Sequence, residues 1–154
     1  MKFEHMVKKI NTKDYIERDI ALKSIKAQYN TDRFMFWKIC CNCDDNDVLD
    51  MKFSPHYNFL KWRIYGNSLV QSTQYYKLQK MYGRSHDWII KKISKFISLF
   101  MSIEIHGIKE PIMILEKPIV KNDYNSGYEI FEGHHRVACC LFLNYKNIPC
   151  KVIK

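Results

Sequence analysis

The sequence predicts an α/β (α+β) protein: a small mixed sheet flanked by helices, with a mainly helical N-terminal extension packed on it. Three observations predict it. Ile and Phe residues from Ile89 to Ile103 recur at steps of three and four, the period of an amphipathic helix. Three short apolar segments follow, at 111–115, 127–132 and 148–153, each of strand length and bounded by turn residues. Gly133 stands between the second of these and another helical run. Residues 85–154 thus read helix, strand, strand, helix, strand, as one core, with residues 1–84 as the extension.

A chain of 154 residues, 47% of them apolar, suits one domain with an elaboration. No apolar run reaches the roughly 18 residues that a membrane span needs. Met1-Lys2-Phe3-Glu4-His5-Met6 is charged at once and lacks the apolar stretch of a signal peptide. A cytoplasmic protein with no membrane partner is the expectation. The net charge of +9 attracts phosphates. The lysines are scattered, however, and the wealth of Lys, Asn, Ile, Tyr and Phe is what A/T-rich coding produces, so charge alone is weak support for a nucleic-acid partner.

Residues 12–29 have Ile16, Ile20, Ala21 and Ile25 at helical spacing behind Thr12 as a cap, which predicts a helix. Residues 33–39, Arg-Phe-Met-Phe-Trp-Lys-Ile, fit a strand or a helix equally. Cys43-Asp44-Asp45-Asn46-Asp47 reads as a turn. A calcium loop would need a Gly and a distal Glu that are missing. Cys40 and Cys43 make one CxxC, but structural zinc generally takes two such pairs, so no metal site is expected. Cys139, Cys140 and Cys150 sit among apolar residues as core fillers. Pro55 and Gly66 punctuate the next stretch. Thr73 to Met81 predicts a short helix carrying Tyr75, Tyr76 and Leu78, with the tyrosines half-buried.

Ser85 suits an N-cap and Asp87 the first turn of the strongly periodic helix. Lys91, Lys92 and Lys95 are placed on its outer side, and Gly107 is a left-handed stop. Pro111 to Leu115 is a buried strand, 122–127 a turn-rich loop, and 127–132 a second strand. His134 to Tyr145 is a helix with Val137, Ala138, Leu141 and Phe142 inward. Ile148 to Ile153 is the last strand, with Pro149 at its start or on an edge.

Chemistry concentrates at Glu132-Gly133-His134-His135-Arg136. Unpaired N–H groups at a helix start, together with the helix dipole, favour an anion, and Gly lets the backbone come close to it. Arg136 can offer a bidentate fork. His134 and His135 add donors and acid/base capacity near neutral pH. Glu132 can hold a metal ion or take a proton. A second reading of the same residues stays open. Adjacent histidines point in different directions, so one can simply cap or bond a neighbouring backbone group, and Arg136 can pair with Glu132.

The run Glu132-Gly133-His134-His135-Arg136-Val137-Ala138, after Gly127-Tyr128-Glu129-Ile130 and before Ile148-Pro149, resembles the ParB/sulfiredoxin superfamily. Ser102-Ile103 and Gly107-Ile108-Lys109-Glu110-Pro111-Ile112 resemble its other sequence box. The likeness covers about residues 88–153. It implies a nucleotide site (ATP, ADP or CTP, with Mg2+) formed by Gly133, His134, His135, Arg136, Glu110 and Pro111. The Gly-His-His-Arg form is closest to that of the free serine kinases, with Glu132 where that family has Asp. His134 replaces the catalytic Cys of sulfiredoxins, which argues against their chemistry. His134-His135 also departs from the Glu-Arg of the partition proteins, and the chain ends at Lys154 without their helix-turn-helix domain.

The expectation is therefore a nucleotide-dependent phosphotransferase or hydrolase acting on a small hydroxyl substrate. Glu132 or His134 would be the acid/base or metal partner, and Glu104 or Glu110 would activate the acceptor. The alternatives are a ParB-like nuclease or nucleic-acid-binding protein, supported by the aromatic and basic stretch from Trp62 to Arg84, and a nucleotide-binding module that regulates a partner without turnover.

Overall fold

The computed structural model describes residues 3–29, 31–41, 43–44, 47–123 and 127–154. The elements in order are α1 (Phe3–Lys8), β1 (Tyr15–Ala21), β2 (Ile25–Lys26), α2 (Thr31–Cys41), α3 (Pro55–Tyr65), α4 (Gln74–Met81), α5 (His86–His106), β3 (Ile112–Leu115), β4 (Tyr128–Glu132), α6 (His134–Phe142) and β5 (Asn147–Ile153). The strands form one mixed sheet in the order β1-β5-β3-β4-β2. Strand β5 pairs antiparallel with β1 and parallel with β3, β3 pairs antiparallel with β4, and β2 pairs parallel with β4. The architecture is α+β, as the sequence predicts.

The N-terminal residues are mainly helical, but they also supply both edges of the sheet. This corrects the helix expected over 12–29, where β1 and β2 stand instead. Ile20, Leu22, Ile25 and Ala27 are buried while Ile16 is 49% exposed. The inward residues follow steps of two on either side of a 3₁₀ turn at Leu22–Ser24. Pairing with β5 from Tyr15–Ile153 to Ala21–Asn147 outweighs a local periodicity of four isolated positions. Residues 33–39, which fit either state, lie in α2. Of the acidic turn, residues 45–46 lie outside the described residues, as do residues 124–126 of the loop before β4 and the side chains of Cys40 and Cys41.

The punctuation expected at Thr73, Ser85 and Gly107 holds, and Ser54, unmarked in the sequence reading, acts in the same way before Pro55. Ser54, Thr73 and Ser85 accept a hydrogen bond from the third N–H after them and start α3, α4 and α5. Gly107, at φ 74°, ends α5. Helix α6 stops at Phe142 rather than Tyr145, because Asn144 turns left-handed at φ 61°. Leu141 and Phe142 are half-buried, while Val137, Ala138, Cys139 and Cys140 are fully inward. Strand β5 is an inner strand. Pro149 is tolerated near its start, opposite Asp19 of β1 and before the parallel pairing with β3 begins at Cys150.

Helix α6 packs on α3 and α5, and α4 packs on α3 and α5. Their shared core is aromatic. Phe59, Tyr75 and Phe96 meet with ring centroids 5.3 to 5.6 Å apart, and His56 joins them, with Trp37 against its other side. Tyr75 and Tyr76 are therefore buried rather than half-exposed, and cannot present faces to bases. Glu129 is a fully buried carboxylate in β4. It accepts from the Tyr29 N–H at 3.3 Å and the Ile119 N–H at 3.1 Å, tying the chain after β2 to the loop after β3. Among the described residues no helix is long and apolar enough to cross a membrane.

Candidate functional site

The site begins at the turn from β4 into α6. Gly133 adopts φ 121°, a backbone that L side chains rarely take. A β-carbon there would lie 2.8 Å from Cγ2 of Ile112 and 3.3 Å from Nη2 of Arg136. Only hydrogen fits between strand β3 and the first turn of α6. Gly133 brings no side-chain cap, so the opening N–H groups of α6 remain available to an incoming acceptor.

A cleft of about 600 Å³ opens beside this turn. One wall is α5, through Lys92, Lys95, Phe96, Leu99, Ser102 and Ile103. Its floor is the segment Gly107 to Glu110, and its far wall is Glu132, Gly133, His135 and Arg136. The two sequence boxes thus meet across one concavity. Four cations (Lys92, Lys95, Lys109 and Arg136) face two carboxylates (Glu110 and Glu132).

Lys92 and Lys95, which the sequence places on the outer side with Lys91, line the cleft, Lys95 exposed there and Lys92 half-buried. The signal was present: residues 92, 95, 99 and 102 follow one another at steps of three, four and three, so they share a face with the Ser102-Ile103 box. Lys91 is exposed and is not a cleft residue.

Arg136 does more than face the cleft. Its Nη1 donates to the carbonyl oxygens of Glu110 at 2.9 Å and Pro111 at 3.1 Å. The second box thereby holds the first in place, and the guanidinium is committed to the backbone rather than to Glu132. Pro111 takes part through that carbonyl. Glu104 is exposed on α5 and does not line the cleft.

The adjacent histidines divide. His135 lines the cleft, and its Nε2 is 2.9 Å from the Tyr75 hydroxyl. Burial, then the charges of Lys92 and Arg33, push it down to about 3. His134 turns the other way. Its Nε2 accepts from the Gln28 N–H at 3.1 Å and lies 3.1 Å from Nη1 of Arg33. Two donors on one nitrogen require a neutral ring with its proton on Nδ1. Burial first, then Arg33, hold His134 well below the usual range.

His56 of α3 closes the group, stacked 5.9 Å from His134 and edge-on 4.6 Å from His135. Burial, then the neighbouring histidines, hold it low as well. All three rings are thus neutral at pH 7, so the motif's histidines bring no cation to the cleft. The acid/base capacity expected of them near neutral pH is suppressed by desolvation. His56 was not singled out from the sequence; nothing local marks a lone histidine in an aromatic helix.

Among the described residues no group of three His, Cys, Asp or Glu is placed to hold a metal ion on its own. Cys139, Cys140 and Cys150 are buried, with thiols pushed up to about 12 chiefly by that burial, which makes them inert core residues.

Residues 71–154 match the family model of the ParB N-terminal domain. No curated protein and no solved structure matches the chain.

Proposed function

This chain belongs to the ParB N-terminal domain family, within the ParB/sulfiredoxin superfamily, and on that premise we propose that its cleft binds a nucleotide for phosphoryl transfer to a small hydroxyl substrate, or for hydrolysis. One observation carries the reading: two separate sequence boxes converge on a single cleft whose cations outnumber its carboxylates, beside an uncapped helix start. Phosphoryl transfer asks for that combination, because most of the catalysis is positioning and charge stabilisation of the moving phosphoryl group. Gly133 and the first N–H groups of α6 receive phosphate oxygens, and Lys92, Lys95 and Lys109 neutralise their charge. His135 contributes as a neutral hydrogen-bonding group, and Arg136 mainly by holding the floor of the cleft through Glu110 and Pro111.

Mg2+ characteristically takes one or two carboxylates and completes its shell with phosphates and water. Glu110 and Glu132, both at the cleft, suit that role, and the ion would offset charge on the transferring phosphoryl group. Whichever of the two carboxylates is left unligated is placed to accept the proton of an acceptor hydroxyl. Glu104 and His134 are away from the cleft and have no part in this reading.

Calorimetric titration with ATP, ADP and CTP in the presence of Mg2+ tests the reading. The wild-type chain is expected to bind at least one of them. Lys92→Ala is expected to bind it at least about tenfold more weakly, a loss of about 1.4 kcal/mol, with an unchanged melting temperature. Binding of no nucleotide by the wild-type chain would refute the proposal and turn attention to salt-dependent DNA binding.

A further inference from the structure

On the side of His134 away from the cleft, three buried nitrogens have no hydrogen-bond partner among the described residues: Nε of Arg33, Nε1 of Trp37 and Nδ1 of His56. Native folds leave few buried polar groups unpaired, because each one gives up its hydrogen bonds to water without replacement. These three share one neighbourhood. The Arg33 guanidinium lies 5.9 Å from the Trp37 ring, Trp37 is 6.4 Å from His56, His56 is 5.9 Å from His134, and Nε2 of His134 is 3.1 Å from Nη1 of Arg33. The circuit joins α2, α3 and α6. Trp37 is fully buried and His56 is 4% exposed.

The chemistry of the group is one-sided. Arginine and tryptophan can only donate, and a neutral histidine can present N–H at Nδ1. His134, whose Nε2 lies beside the Arg33 guanidinium, already receives the Gln28 N–H. Among the described residues no carboxylate forms an ion pair with Arg33, although buried charges are ordinarily paired. What the group lacks is an acceptor that carries negative charge.

We propose that Arg33, Trp37 and His56 form a second binding site, distinct from the cleft, for a compact oxyanion: a carboxylate or a phosphate. The guanidinium supplies the charge, and the indole and imidazole N–H groups fix the oxygens. The site meets the cleft at the start of α6, where His134 faces one and His135 the other. It stands independently of the nucleotide reading.

The test uses the indole N–H signals of the 15N-labelled full chain, of which there are three, from Trp37, Trp62 and Trp88. Trp62→Phe and Trp88→Phe identify the Trp37 signal by elimination. Inorganic phosphate and D-glycerate are titrated separately, at ionic strength held constant with chloride. A saturable shift of the Trp37 signal is expected with at least one probe, with the Trp62 and Trp88 signals in place. Movement with phosphate alone assigns a phosphate site, and movement with glycerate a carboxylate site.

Arg33→Gln is expected to weaken the response at least tenfold, and Lys92→Ala to leave it intact. If Arg33→Gln collapses the dispersion of the other two signals, Arg33→Lys takes its place, because it keeps the charge and removes the Nε–H. No saturable shift of Trp37 with either probe overturns the proposal. So does a response that survives the loss of Arg33, or one that disappears with Lys92.

Discussion

Acidification from pH 7.5 to pH 5.0 is expected to destabilise the chain, because three packed histidines are held below their ordinary range. His135 is held at about 3 in the fold, against about 6.5 in an unfolded chain. A folded pKa below the unfolded one gives stability that is complete above about pH 6.5 and is lost as pH falls toward about 3. In the upper part of that window the unfolded chain takes up a proton that the folded chain refuses. Integrated from pH 7.5 to pH 5.0, one such histidine costs about 2 kcal/mol. His56 and His134 are held low by the same burial, so they add to the loss in the same direction.

Urea unfolding at pH 7.5, 6.5 and 5.0, at one ionic strength, reads the effect directly. The window lies above ordinary carboxylate titration, which isolates the histidines. The midpoint is expected to fall at each step with an unchanged slope m, and His135→Asn is expected to flatten the profile by about one proton's worth. A midpoint that stays level or rises between pH 6.5 and pH 5.0 would refute the idea that the rings are buried and neutral.

Two further outcomes test the surroundings of the site. Gly133→Ala places a β-carbon 2.8 Å from Cγ2 of Ile112 on a φ of 121°; a lower melting temperature and a loss of about 1–3 kcal/mol are expected, with wild-type stability as the refuting result. Glu129→Gln leaves one oxygen for two backbone donors, the N–H groups of Tyr29 and Ile119, and its amide group faces the second of them. A loss of about 2 kcal/mol in chemical unfolding is expected, and faster hydrogen exchange at both N–H groups would show that the lost contacts are these.

The parts of the fold that were legible in the sequence are those governed by neighbours along the chain. Helix α5 could be read because Ile89, Ile93, Phe96, Phe100 and Ile103 define a face by themselves, and Ser85 and Gly107 mark its ends with chemistry that acts within one turn. Strands β3, β4 and β5 were short, apolar and punctuated. Residues 15–26 read as helix because their state is decided by distant partners, β5 from Asn147 for β1 and β4 from Tyr128 for β2, and no local signal competes with three isoleucines and one alanine at helical spacing. The site was legible to the same degree. Gly133 and Arg136 announce themselves by residue type, whereas Lys92 and Lys95 become cleft residues only because α5 crosses the start of α6. His56 enters the cluster from α3, and its role follows from packing alone.

The two histidines of the motif show why a short pattern can be right about a place and incomplete about its chemistry. Adjacent residues at a helix start project to different sides, so a doublet cannot serve one ligand with both rings. Here His134 receives the Gln28 N–H and the Arg33 guanidinium from the N-terminal segments, and His135 joins the Tyr75 hydroxyl at the cleft wall. The doublet therefore couples the segment after β2 and helix α2 to the residues that build the cleft. An anion in the cleft and an anion beside Arg33 would act on opposite ends of the same two rings, through His56, which touches both. That contact is the physical route by which occupancy of one site would bear on the other, and it runs through residues 28, 33 and 56, outside the segment that matches the family.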